Sequence, residues 1–81
     1  MHIKVLGPGC QNCVTLHRIV LEAMAALGLQ AEVTKIEDFP TIVSYGVMST
    51  PALVIDEQVV ISGRVPTPTQ VREILSTATA S

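Results

Sequence analysis

The chain has no tryptophan, one phenylalanine and one tyrosine, so any core it builds must be aliphatic. Basic residues are also sparse: five Lys and Arg, scattered along the chain, against seven Asp and Glu. A net charge of −2 without a basic cluster excludes an electrostatic footprint for nucleic acid. No apolar run approaches the ~20 residues of a membrane span. The first residues lack the basic and apolar segments of a secretory signal, so a cytoplasmic chain is expected. Cysteine is the most informative scarcity, because Cys10 and Cys13 are the only two. One such pair in a cytoplasmic chain points to redox or metal chemistry rather than to a structural cross-link. Two thiolates make half of a tetrahedral zinc site, and no second CxxC exists to complete it. Unaided, the pair suits a soft ion such as Cu(I) in low coordination.

What is present is hydrophobic. Val, Leu, Ile and Ala dominate the 48% apolar fraction, enough to cover both faces of a small sheet and to exclude disorder. The 81 residues are expected to form one domain, 1–81, near the lower size limit for folding without staples. Ile3 to Leu6 reads as a strand covered on both faces, with Lys4 snorkelling to the end of the sheet or lying near the cysteines. Cys10 to Leu27 reads as a long helix. Val14, Ile19, Val20, Ala23, Met24 and Leu27 keep helical spacing, and Gly28 is its stop. Leu29 to Ile36 alternates as a strand, placed at a sheet edge. Asp38 caps a short helix, Phe39 to Tyr45, which turns Ile42 and Val43 inward and stops at Gly46. Ala52 to Ile55 and Gln58 to Ser62 form a hairpin around Asp56-Glu57. Thr67-Pro68-Thr69-Gln70 is a capping box for a last helix with Val71, Ile74, Leu75 and Ala78 on one stripe, and a tail from Ser76 to Ser81 that frays. The order β-α-β-α-β-β-α implies an α/β fold: a four-stranded mixed sheet with helices on both faces.

Cys10 and Cys13 stand where the first strand, a Gly7-Pro8-Gly9 turn and the long helix meet. A helix N-terminus carries about half a positive charge and unpaired N–H groups, so a Cys10 thiolate is stabilised and its pKa falls below the free value of ~8.5. Cys13, one turn further in, is the more shielded. An exposed low-pKa thiol beside a covered partner, three residues away and able to close a small disulfide ring, is what thiol–disulfide exchange needs. His17, four residues beyond Cys13, is either a solvated or half-packed histidine, a third metal ligand, or an electrostatic partner of a thiolate. Thr50-Pro51 opens the buried strand, where proline cannot donate to the ladder. It is either a plain trans turn or a cis bond that leaves the Thr50 main chain free to pair with an extended segment.

With CxxC opening the first long helix and Ser49-Thr50-Pro51 preceding a hairpin and a last helix, the chain resembles the thioredoxin superfamily along nearly its whole length. Gly7-Pro8-Gly9-Cys10-Gln11-Asn12-Cys13, Gly46 to Asp56 and Ser62 to Pro66 are similar to the small thioredoxin- or glutaredoxin-like redox-active disulfide proteins. The resemblance implies a minimal thioredoxin fold and a cis Pro51 against the CxxC. It implies a protein disulfide oxidoreductase in which Cys10 attacks a substrate disulfide and Cys13 resolves the mixed disulfide. Thr50 and Pro51 then form the substrate groove with Gly9, Gln11 and Asn12, Pro51 keeps metal off the thiols, and Gln11 and Asn12 tune the potential. The implied partners are a disulfide-containing protein and a flavin-dependent or dithiol reductant. A monomer is expected, with no cofactor, no metal, no nucleic-acid partner and no membrane. The chain departs from the family pattern at Gly9, where ordinary thioredoxins carry Trp. It departs again at Lys4, which falls where they carry a buried acid, and at Gly63-Arg64-Val65-Pro66, where glutaredoxins carry a Gly-Gly-Asp-like segment. The alternative is a copper or zinc carrier, or a redox sensor, using the same pair. Gly9 to Val14 resembles the loop of heavy-metal-associated domains, but their β-α-β-β-α-β order does not fit the second half of this chain.

Overall fold

A computed structural model describes residues 1–9 and 11–79, with the side chain of residue 79 left aside. The elements run β1 (His2–Leu6), α1 (Gln11–Leu27), β2 (Glu32–Ile36), α2 (Phe39–Ser44), β3 (Ala52–Ile55), β4 (Gln58–Ser62) and α3 (Pro68–Thr79). They build one four-stranded sheet in the order β2-β1-β3-β4. β1 pairs parallel with β2, with Leu6 opposite Ile36, and antiparallel with β3, with Leu6 opposite Ala52. β3 and β4 are antiparallel, with an irregularity between Leu53 and Val54. The mixed α/β architecture is the one expected.

Side-chain alternation divides the sheet into two apolar faces. Ile3, Val5, Leu53, Ile55 and Ile61 pack with Leu16, Ile19, Val20 and Ala23 of α1 and Val71 and Leu75 of α3. Leu6, Ala52 and Val54 pack on the other face with Ile42 of α2 and Val47. Full burial of an aliphatic side chain contributes about 1.5–3 kcal/mol, and β3, buried at all four positions, holds both layers together. β3 reads as a continuous apolar run because it is covered on both sides, and β1 does so except at His2 and Lys4.

Local signals set several element ends. Thr67 Oγ1 accepts from the Gln70 N–H and Gln70 Oε1 from the Thr67 N–H, so the capping box is closed in both directions. Asp38 accepts from the Thr41 N–H and from the Thr41 hydroxyl, which holds its carboxyl below the usual carboxylate range. Asp56 and Glu57 both have positive φ, 48° and 69°, the two-residue turn that matches strand twist.

Five readings need correction. Val14 does not belong to the buried stripe and is 51% exposed. The stripe of α1 is Cys13, Leu16, Ile19, Val20 and Ala23, and at 100° per residue Val14 lies a quarter turn off it. Leu27, in the last turn, is also exposed. Val43 faces solvent, because a six-residue helix presents little more than one inward position, taken by Ile42. β2 begins at Glu32 and not at Leu29: the Leu29 N–H bonds back to the Met24 carbonyl around Gly28, which commits Leu29 to the helix end. Finally, α3 stays helical through Thr79; of the tail expected to fray, 80 and 81 lie outside the described residues.

Candidate functional site

Four loops converge at one end of the sheet. Parallel pairing brings the ends of β1 and β2 out side by side, and the Gly7 N–H donates to the Ile36 carbonyl at 2.8 Å. Antiparallel pairing of β1 with β3 brings the start of β3, and so Thr50-Pro51, to the same place. β4 returns there too: the Gly63 N–H donates to the Pro51 carbonyl at 2.9 Å.

Cys13 sits in the first turn of α1, is 4% exposed and is disulfide-bonded. Cys10, the chain's other cysteine, lies outside the described residues. Cys13 packs against the backbone of Gly7. A Cβ on Gly7 would stand 2.2 Å from Cys13 Sγ, 3.1 Å from Cys13 Cβ and 3.8 Å from Thr50 Cβ. No side chain fits in that space, and the missing Cβ is what lets strand end, cysteine and Thr50 approach each other. This role of Gly7 was not legible as more than a turn; its signal was a glycine placed directly after a buried strand and before proline.

The Thr50–Pro51 peptide bond is cis. Thr50 is half-buried and Pro51 fully buried, while Gly9, Gln11 and Asn12 are exposed at the start of α1. The Gln11 carbonyl accepts from the Thr15 hydroxyl, and Gly9 has φ +83°. A Cβ on Gly63 would meet Ser49 Cβ at 3.0 Å, so Gly63 packs on the loop that carries Thr50. His17 is half-buried one turn beyond Cys13. Among the described residues no three His, Cys, Asp or Glu side chains come together as metal ligands.

Two charged residues have neighbours that residue spacing did not reveal. Lys4 turns away from the cysteines. Its ammonium donates to Glu57 and to the Tyr45 hydroxyl and lies 5.1 Å from the Tyr45 ring centroid, and the Tyr45 hydroxyl donates to Glu57 at 3.2 Å. The hydrogen bond from Lys4 holds the Glu57 carboxyl below its usual range; the bonds to Glu57 and then Tyr45 raise the Lys4 pKa. Of the two destinations open to Lys4, the far end of the sheet is the one taken. Glu37, directly after β2, brings Oε2 to 3.9 Å from where a Gly9 Cβ would stand. The signal for it was the βαβ unit, which sets the residues after two parallel strands side by side. An open groove of about 750 Å³ between β4 and α3, lined by Val60, Ile61, Arg64, Gln70, Glu73 and Ile74 among others, does not include Gly7, Cys13, Thr50 or Pro51.

Comparison with known proteins agrees with this architecture. Residues 1–76 match a family model described as a thioredoxin domain. The chain is 37% identical over 76 residues to a protein named thioredoxin from Methanothermobacter thermautotrophicus, covering 94% of this chain and 99% of that one. It is 32% identical over 73 residues to a protein named thioredoxin from Methanocaldococcus jannaschii, covering 90% of this chain and 84% of that one.

Proposed function

This chain belongs to the thioredoxin family, and on that premise we propose that it is a protein disulfide oxidoreductase working through a reversible Cys10–Cys13 dithiol. The observation that carries the reading is the contact at Gly7: a covered, disulfide-bonded Cys13 and the Thr50 that precedes cis Pro51 meet over one missing Cβ. Cys10 is the attacking thiol. Its thiolate displaces one sulfur of a substrate disulfide, which leaves as a thiolate and takes a proton. The Cys13 thiolate then attacks Cys10 Sγ in the mixed disulfide and releases the second substrate thiol. The substrate disulfide gains two electrons, and the protein dithiol loses them to become the Cys10–Cys13 disulfide. A dithiol or flavin-dependent reductant returns the pair to the starting state.

Thr50 holds the substrate main chain with its N–H and C=O, as an added strand would. Pro51 shapes the groove floor and keeps metal off the sulfurs. Gly9, Gln11 and Asn12 form the opposite wall, and their exposure supports that role. The single 81-residue unit works as a monomer in the cytoplasm, where exchange rather than permanent cross-linking is the use of a cysteine pair.

The test is a redox titration in dithiol buffers with a metal assay on the same sample, repeated on Cys10→Ser and Cys13→Ser. The expected result is a reversible two-electron transition without bound metal. Cys10→Ser abolishes exchange, and Cys13→Ser accumulates mixed disulfides. A potential near thioredoxin's about −270 mV marks a reductant, and a much higher one an oxidant or isomerase. Stoichiometric copper or zinc that blocks oxidation would instead make the pair a metal carrier. Equal alkylation rates of the two cysteines at neutral pH would remove the division of labour between them.

A further inference from the structure

We propose that Phe39, Val43 and Met48 form the docking surface for the disulfide-bearing protein, and that the segment they receive carries an apolar residue and a Lys or Arg beside its cysteine. The inference rests on the redox reading above and deepens it by naming the chemistry of the partner.

These three are the most exposed large apolar side chains among the described residues: Met48 is 93% exposed, Phe39 61% and Val43 59%. All fall between 39 and 48. On α2, Phe39 and Val43 are one turn apart and share a side, next to the buried Ile42. α2 opens just after β2 ends, so Phe39 stands at the end of the sheet that holds Gly7, Cys13 and Thr50. The backbone around Met48 is anchored on both sides. Val47 is buried with Leu6, Ile42 and Ala52, and Ser49 packs on Gly63. The Met48 side chain is therefore presented to solvent from a fixed position, directly before the Ser49-Thr50-Pro51 loop. Apolar side chains gathered in the open beside a site mark a protein contact, and methionine adapts to surfaces of different shape.

Charge selects the occupant. Glu37 and Asp38 directly precede Phe39, and both are exposed. The bonds from Thr41 hold the Asp38 carboxyl below its usual range, so it is ionised at neutral pH. No Lys or Arg occurs from 36 to 63. Cations on neighbouring elements are turned elsewhere. Lys4 is bonded to Glu57 and Tyr45. Lys35 precedes Ile36, which packs on the α2 face, so strand alternation points Lys35 to the opposite face. Arg64 lines the groove between β4 and α3. The patch is apolar with a negative border, and the complementary surface is apolar with a positive one.

The experiment follows disulfide exchange by the reduced full-length chain with three probes. Two are disulfide-bonded peptides that differ only in the residues flanking their cysteines, Leu with Lys or Leu with Glu. The third is hydroxyethyl disulfide, which is too small to reach the patch. The parent protein is expected to reduce the Lys peptide faster than the Glu peptide, with a preference that shrinks in 1 M salt. Phe39→Gln and Met48→Gln each lower kcat/KM for the Lys peptide about three- to tenfold, through KM, and leave hydroxyethyl disulfide unchanged. Glu37→Gln narrows the preference between the peptides. Leu21→Gln, an exposed apolar residue in the middle of α1, changes none of these rates. Equal rates for the two peptides overturn the proposal, as does a loss on hydroxyethyl disulfide as large as on the Lys peptide. A parent dimer that Met48→Gln splits would assign the patch to a second copy and overturn it too. The two readings fail separately: a parent that reduces hydroxyethyl disulfide but does not discriminate between the peptides sinks the docking surface alone, and one that reduces no probe sinks the oxidoreductase and the docking surface with it.

Discussion

Where Leu6 meets Ile36 and Ala52, the sheet ends in close approaches of backbone and small side chains: Gly7 on Cys13, Gly63 on Ser49, and the Pro51 carbonyl on the Gly63 N–H. Where His2 meets Glu32 and Asp56, it ends in polar contacts. There the His2 N–H donates to Asp56 Oδ1 and the Asp56 N–H to the His2 carbonyl, both at 2.9 Å, and Lys4, Tyr45 and Glu57 form a closed triangle across β1, the end of α2 and the hairpin turn. The first end leaves no room for a Cβ at Gly7 and little at Gly63, and it has its backbone close to the sulfur. The second is tied by charge and has solvent to relax into. A site that must hold a sulfur in one geometry is better served by the first kind of support, because contacts in a packed interior fall off within an ångström, whereas screened ion pairs do not define position.

The sharpest way to break this contrast is Gly7→Ala. Its Cβ would overlap Cys13 Sγ, so α1 or the β1 end must shift. Overpacking of this kind costs about 1–3 kcal/mol, which for a chain of this size lowers Tm by roughly 4–8 °C per kcal/mol. The disulfide-exchange rate should fall in the same variant, read by thermal melts and insulin-type turnover in parallel. A melt within a degree of the parent would mean that the contact is not tight.

Gly28→Ala gives the effect of backbone strain without a clash. Gly28 has φ +64° and nothing within 4 Å of its Cβ position, so the loss should be about 1 kcal/mol with exchange unchanged. Thr67→Ala, which opens the capping box at the start of α3, should cost about 1 kcal/mol by denaturant midpoint, again with exchange intact. If either variant slowed exchange as much as Gly7→Ala, the cysteine end would not be specially sensitive.

The smallest effect belongs to the charged end and shows in pH. The Glu57 carboxyl is held below its unfolded value, so its contribution is present above the unfolded carboxylate pKa and is lost as pH falls through the folded one. Lys4 is raised, so its contribution is full below its unfolded value of 10.5 and is lost as pH rises through the folded one. Glu57→Gln should flatten the acid limb of stability against pH, and Lys4→Met the alkaline limb, with little loss at pH 7 and no change in exchange. Urea midpoints across pH 3–11 check this. An unchanged acid limb in Glu57→Gln would mean that the triangle contributes nothing measurable.

Local chemistry was legible in advance. The capping box at Thr67 and Gln70, the cap at Asp38, the tight turn at Asp56-Glu57 and the buried β3 each depend on residues within a few positions of one another, and their readings agree with the structure. Val14 was misread because it is apolar like Leu16, and only packing against β1 and α3 decides which of the two faces inward.

The residues alone determined the order of elements, the edge position of β2 and the spacing of the cysteine pair, because hydrophobic period, caps and turns act over one to four residues. Sheet register decided the rest. It put Gly7 under Cys13 and Thr50, carried Lys4 to Glu57 and away from the cysteines, and set Glu37 beside Gly9. Such contacts join positions up to 53 residues apart, and no local rule reaches that far; they follow only once β1 has chosen its neighbours on both sides.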